Sequence, residues 1–158
     1  MRGLITRAAA SKTLLGIVLA SLLIGAGPFA VPAVHAADLV PRALTMSNAV
    51  AGSGNVTYEL RFNYATGGVV GSLRVQFCSE GPLPGTTCTT PAGMSTSLAT
   101  LTSQSGATGF TTIAAPSNEI LISRPPGVVS AGTPGVYEFD GLVNPGSIGS
   151  FYARVSTY

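Results

Sequence analysis

Hydrophobic and polar positions divide the chain into two unlike parts. From Thr13 to Ala36 there is no formal charge, counting His35 as neutral, and Leu14 to Ala26 is almost wholly apolar or small. Beyond that stretch apolar residues alternate with polar ones. In Val56-Thr57-Tyr58-Glu59-Leu60-Arg61-Phe62-Asn63-Tyr64 the odd members are polar and the even ones apolar. Strict period two over such a run predicts an antiparallel strand with one face buried. The same pattern predicts strands at Leu73–Phe77, Glu119–Arg124, Val136–Phe139 and Phe151–Val155. Shorter candidates are Arg42–Ser47, Thr96–Leu101 and Gly109–Ile113.

Between these runs lie turn signals, among them Ala51 to Gly54, Pro82 to Gly85, Pro125-Pro126-Gly127, Thr133-Pro134-Gly135 and Asn144-Pro145-Gly146. Proline presets one turn dihedral and glycine supplies positive φ, so these are breaks with a mechanism. About seven to eight short strands at this spacing, with no convincing helix, predict an all-β antiparallel β-sandwich over residues 37–158. An immunoglobulin-like (Ig-like) order is favoured, and sequence does not separate it from a jelly roll.

The early stretch changes the picture of where the domain works. Arg2, Arg7 and Lys12 precede the apolar run, and Val34-His35-Ala36 places small residues three and one positions before a cut after Ala36. That is the pattern of a cleavable signal peptide over residues 1–36. An uncleaved membrane anchor is the alternative, but Gly27, Pro28 and Pro32 would break such a span. The expected location is secreted or extracellular at the cell surface, with membrane contact only through the signal or an anchor.

Charge then removes one class of partner. Without the signal, five arginines face six acids, leaving a net charge of −1. No basic run offers itself to nucleic acid or to anionic lipid. Past residue 36 there is no Lys, His or Trp.

Cys78 and Cys88 are the only cysteines. In an exported chain such a close pair predicts a disulfide. Two thiols without histidine do not make a metal site. No cofactor is expected either.

Catalytic chemistry finds little to work with. The Ser-His-Asp and Cys-His arrangements lack their histidine. A glycosidase pair needs two carboxyls across a cleft; Glu138 and Asp140 share one strand face two residues apart, which reads as a solvated surface. The chain is therefore expected not to be an enzyme. Absence of lysine also rules out the lysine crosslinks of many bacterial pilins and adhesins. Tyr152 is the one candidate ligand contact, an outward aromatic of the sugar-stacking kind; the lack of Trp weighs against a sugar platform. Asn55-Val56-Thr57 fits the glycosylation pattern and is read as chance.

Arg42 to Ser47, Tyr58 to Phe62, Val75 to Cys78, Cys88 to Met94, Gly141 to Pro145 and Phe151 to Tyr158 together resemble a group of uncharacterised secreted or surface β-sandwich proteins of candidate-phylum bacteria of the Patescibacteria or Saccharibacteria kind. Cys-x-x-Pro-x-Gly and the late Asn-Pro followed by Phe-Tyr-x-Arg are the most specific parts. The resemblance implies no activity and no catalytic residues. Similar members run on past the last strand, so the chain is either a natural short form or the N-terminal part of a longer protein. The expected function is a structural or interaction role, as adhesin, envelope or appendage component. A carbohydrate- or other ligand-binding module is the alternative. Expected partners are a protein or glycan at the cell surface, or a second copy pairing through an open strand edge.

Overall fold

A computed structural model describes Ala37 and residues 39–83, 85–113 and 115–158. The expected signal peptide lies outside the described residues. The described residues are all-β, with eight strands among them: β1 Leu39–Met46, β2 Val56–Tyr64, β3 Gly68–Cys78, β4 Thr100–Gly106, β5 Thr111–Ile113, β6 Glu119–Val129, β7 Pro134–Leu142 and β8 Tyr152–Thr157. They form two four-stranded antiparallel sheets, ordered β1-β2-β7-β4 and β5-β6-β3-β8.

The core follows from the alternation. All five apolar members of β2 are buried, and they face Val70, Leu73, Val75 and Phe77 of β3 and Ile120 and Ile122 of β6 in one cluster. Each such side chain contributes about 1.5–3 kcal/mol by leaving water. Aromatic rings fill one end of the sandwich, where Phe62 stacks on Tyr137 at 5.7 Å and Phe110 meets Tyr137 edge-on at 5.6 Å.

The connectivity follows the jelly roll rather than the immunoglobulin arrangement. In the latter the second strand pairs with the fifth; here β2 pairs with β7 and β3 with β6, flanked by β4 and β8. A jelly roll is a long hairpin of first-with-last pairs wrapped into two sheets. This chain departs from it at the margins: β1 pairs with β2 instead of β8, and β5 with β6 instead of β4. The strands that would have closed the roll laterally therefore stand apart.

Two local expectations change. Pro125-Pro126-Gly127 is no chain reversal but lies inside β6, where Arg124 to Pro126 bulge opposite Gly71 between the pairs Ser72↔Ser123 and Val70↔Gly127. Proline has no N–H for a ladder, and the bulge relieves it of the need. The strand expected at Thr96–Leu101 begins instead at Thr100. Thr96 turns inward, and its one hydroxyl hydrogen is shared between the carbonyl oxygens of Glu119 (2.7 Å) and Pro116 (3.2 Å). Those bonds bend the backbone before the ladder starts.

Candidate functional site: an apolar cleft between two strand edges

The outer edges of β1 and β8 lie on one side of the sandwich. They touch at one end, where the Thr157 hydroxyl donates to the Ala37 carbonyl at 3.1 Å. Toward Met46 and Tyr152 they separate around a cleft of about 290 Å³. Its walls include Leu44 and Met46 of β1, Ala153 of β8, and Ile148 and Phe151 of the preceding loop; Tyr58, Phe77 and Met94 also line it. Among the described residues that line it, none is charged. Ile148 is 92% exposed and Met46 45%, so this apolar surface is left to water.

The floor is rigid. Tyr58 and Phe77 pack edge-to-face at 5.7 Å. The Tyr58 hydroxyl donates to Asn144 Oδ1 (2.8 Å), while Asn144 Nδ2 donates to the carbonyls of Asn48 (2.8 Å) and Val50 (2.9 Å). Asn144 is 2% exposed, and its three bonds tie the loop after β1 to the loop after β7. A buried amide satisfied in this way fixes both loops in register. Burial also holds the Tyr58 hydroxyl above the ordinary tyrosine range.

Beside the cleft stands the loop closed by the disulfide. Cys78 and Cys88 are bonded, as the sequence predicts. Within the loop the organising residue is Arg154 of β8, buried on the outer face. Its Nε donates to the Gly81 carbonyl (2.9 Å), its Nη1 to the Thr86 carbonyl (2.9 Å), and its Nη2 to Thr86 Oγ1 (2.7 Å) and the Thr87 carbonyl (2.8 Å). A guanidinium offers five donors in a fixed fork, and four are committed here. Glu80 accepts the Thr89 N–H at 2.8 Å, and hydrogen bonding from Thr89 holds its carboxyl below the ordinary range.

Tyr152 sits at the cleft mouth, half-buried, on the same outward face of β8 as Arg154 and Ser156. Tyr58, Tyr64 and Tyr137 are core residues. Of the two carboxylates weighed for glycosidase chemistry, Asp140 accepts the Thr57 hydroxyl at 2.6 Å; both face outward on β7, away from the cleft. Among the described residues no cluster of His, Cys, Asp and Glu could hold a metal ion, and no helix is long and apolar enough to cross a membrane.

Arg154 and Asn144 escaped the sequence reading as individual residues. Both lie in the segments that carry the resemblance, Asn144-Pro145 and Phe-Tyr-x-Arg, but nothing in the spacing announces a buried tie. No family model, curated protein or solved structure matches this chain.

Proposed function

We propose that the chain is an exported, extracellular interaction domain, a secreted or cell-surface component that docks onto a partner and carries out no catalysis. The observation that supports this most is the apolar cleft, with no charge among its described lining residues, bordered by Leu44 and Met46 of β1 and by Ala153 of β8. Docking sites combine exposed apolar surface with a fixed frame, and the Asn144 tie and the fastened loop supply the frame. The disulfide suits an oxidising compartment, and the basic-then-apolar N-terminus suits export. The carbohydrate-binding alternative has Tyr152 at the cleft mouth in its favour.

Two measurements test the reading. Intact mass of the native product from medium and cell envelope should give a species cut after Ala36 and two hydrogens light. Cytosolic protein with free thiols would defeat the extracellular assignment. Attachment of the exported protein to isolated envelopes should fall at least tenfold in Met46→Asp and survive Tyr152→Ala. The reverse order would favour the carbohydrate module.

A further inference from the structure

We infer that the cleft receives an extended, uncharged peptide segment, added as a strand against β8 with apolar residues at alternate positions. The inference rests on the docking reading above and names the partner's chemistry. Three features carry it.

The first is backbone. Tyr158 and Ser72 exchange both hydrogen bonds, at 3.0 and 2.9 Å. In an antiparallel ladder such pairs alternate with pairs whose N–H and C=O point the other way. Counting along the register, Ala153 and Val155 turn theirs away from β3. On β1, Ser47 donates to the Thr57 carbonyl, so Leu44 and Met46 turn theirs away from β2. The cleft is thus flanked on both borders by backbone groups two residues apart. A strand presents matching groups at that repeat; a sugar or an acyl chain does not.

The second is charge. A charged side chain entering a wall with no charged residue among those described would lose its hydration without a partner. The occupant is therefore uncharged where it meets the cleft. Because successive strand side chains point to opposite faces, every second residue is apolar and those between them are free to be polar.

The third is shape. β1 and β8 are joined at Ala37 and Thr157 and part toward Met46 and Tyr152. The wide end admits a strand and the joined end stops it. With Ala153 and Val155 as the β8 residues whose backbone groups turn to the edge, the pairing spans about four to six residues.

The test uses the exported protein and the capped peptide acetyl-Thr-Val-Thr-Val-Thr-Val-Thr-amide, with analogues N-methylated at every valine or at every threonine. Binding should slow amide exchange at Ala153 and Val155 at least tenfold, and one of the two methylation patterns should abolish it. Met46→Asp should weaken binding at least tenfold with an unchanged melting temperature. Ala153→Pro, which removes an edge N–H, gives a second reading should the first variant unfold. No binding, or equal binding by all three peptides, would overturn the inference. So would octyl glucoside displacing the peptide while amide exchange at the edge stays fast, which marks an apolar pocket only. Protection of Ala153 and Val155 that rises with protein concentration in the absence of peptide would make the occupant a second copy instead. Peptide binding by a protein that proves cytosolic would sink the extracellular assignment and leave this inference standing. Envelope attachment that persists in Met46→Asp would do the opposite.

Discussion

The two lateral sides of the sandwich face the same problem and treat it differently. On each, a marginal strand pairs within the wrong sheet for a closed roll, leaving two edges side by side: β4 with β5, and β1 with β8. Between β4 and β5 side chains replace the missing ladder. Gln104 accepts the Phe110 N–H (2.9 Å) and donates to the Phe110 carbonyl (3.1 Å), as a paired strand residue would. Thr112 Oγ1 accepts the Leu101 N–H at 2.9 Å, and the Tyr137 hydroxyl donates to the Ala107 carbonyl at 2.8 Å. Arg124 plugs the end, its guanidinium 4.6 Å from the Phe110 ring centroid and its Nη1 donating to the Thr108 carbonyl at 2.7 Å. One other guanidinium nitrogen, Nη2, is buried with no hydrogen-bond partner among the described residues, which the ring face partly offsets.

Between β1 and β8 the Thr157 hydroxyl ties one end, and apolar wall follows from Leu44 to Met46 among the described residues. An edge can be silenced with a few polar side chains, and this protein does so on one side only. The open side is the one that the proposed function requires to be open.

The comparison can be broken by mutation. Phe110→Ala, on the closed side, should cost about 3–5 kcal/mol in chemical denaturation, since the ring is buried between Tyr137 and Arg124. A cost below about 1 kcal/mol would mean that this side is not packed as described. Next comes the fastened loop. Reduction, or Cys78→Ser, should cost roughly 2–3 kcal/mol and leave the far-ultraviolet spectrum recognisable. Arg154→Ala should cost about 1–3 kcal/mol by orphaning loop carbonyls. A double-mutant cycle between the two should show coupling, because both act on one loop. Gln104→Ala should remove about 1–3 kcal/mol by leaving both polar groups of Phe110 unpaired. On the open side Met46→Ala should stay within about 0.5 kcal/mol. Comparable losses at Gln104 and Met46 would erase the contrast.

Alkali gives a graded version of the same test. Burial raises Tyr64 and, more strongly, Tyr137, whose hydroxyls meet at 3.2 Å, above the ordinary tyrosine value. A raised pKa means that the folded form keeps protons which the unfolded chain has lost. The resulting stability is complete below about pH 10, the unfolded value, and falls as pH rises beyond it. Phenolate absorbance of these two residues should therefore appear together with unfolding. Separate early ionisation would show that the closed end is loosely packed. Glu80 works in the opposite sense: its lowered pKa favours the folded loop above the usual carboxylate range and loses that support as acid protonates it. Carboxyl titration by NMR should find its midpoint below that of a free glutamate.

Much of the frame was legible in the sequence because alternation maps directly onto burial. Val56–Tyr64 was readable to the residue, and the inward faces of β3 and β6 nearly so. The disulfide was readable from two cysteines with no competing ligands. What escaped depends on where one segment meets another. Pro125-Pro126 carries the same local signal whether the chain reverses or bulges, and only the partner Gly71 decides. Arg154 is one arginine among polar neighbours until the loop carbonyls gather around it. The cleft is the least legible feature, since Leu44, Ala153 and Ile148 become neighbours only through the sheet order.

The tie between Ala37 and Thr157 has a consequence for how the domain could be mounted. It brings the beginning of the first strand and the end of the last to the same pole. The cleft mouth, with Met46 and Ile148, lies toward the other pole, about 25 Å away along the eight residues of β1 at roughly 3.3 Å per residue. A stalk continuing from the end of β8 would hold the domain by its base and point the mouth outward. Tension on such a stalk would act first on Ala37 and Thr157, the two residues at which the wedge is pinned shut. A load at the base could then alter the width of an opening at the far end.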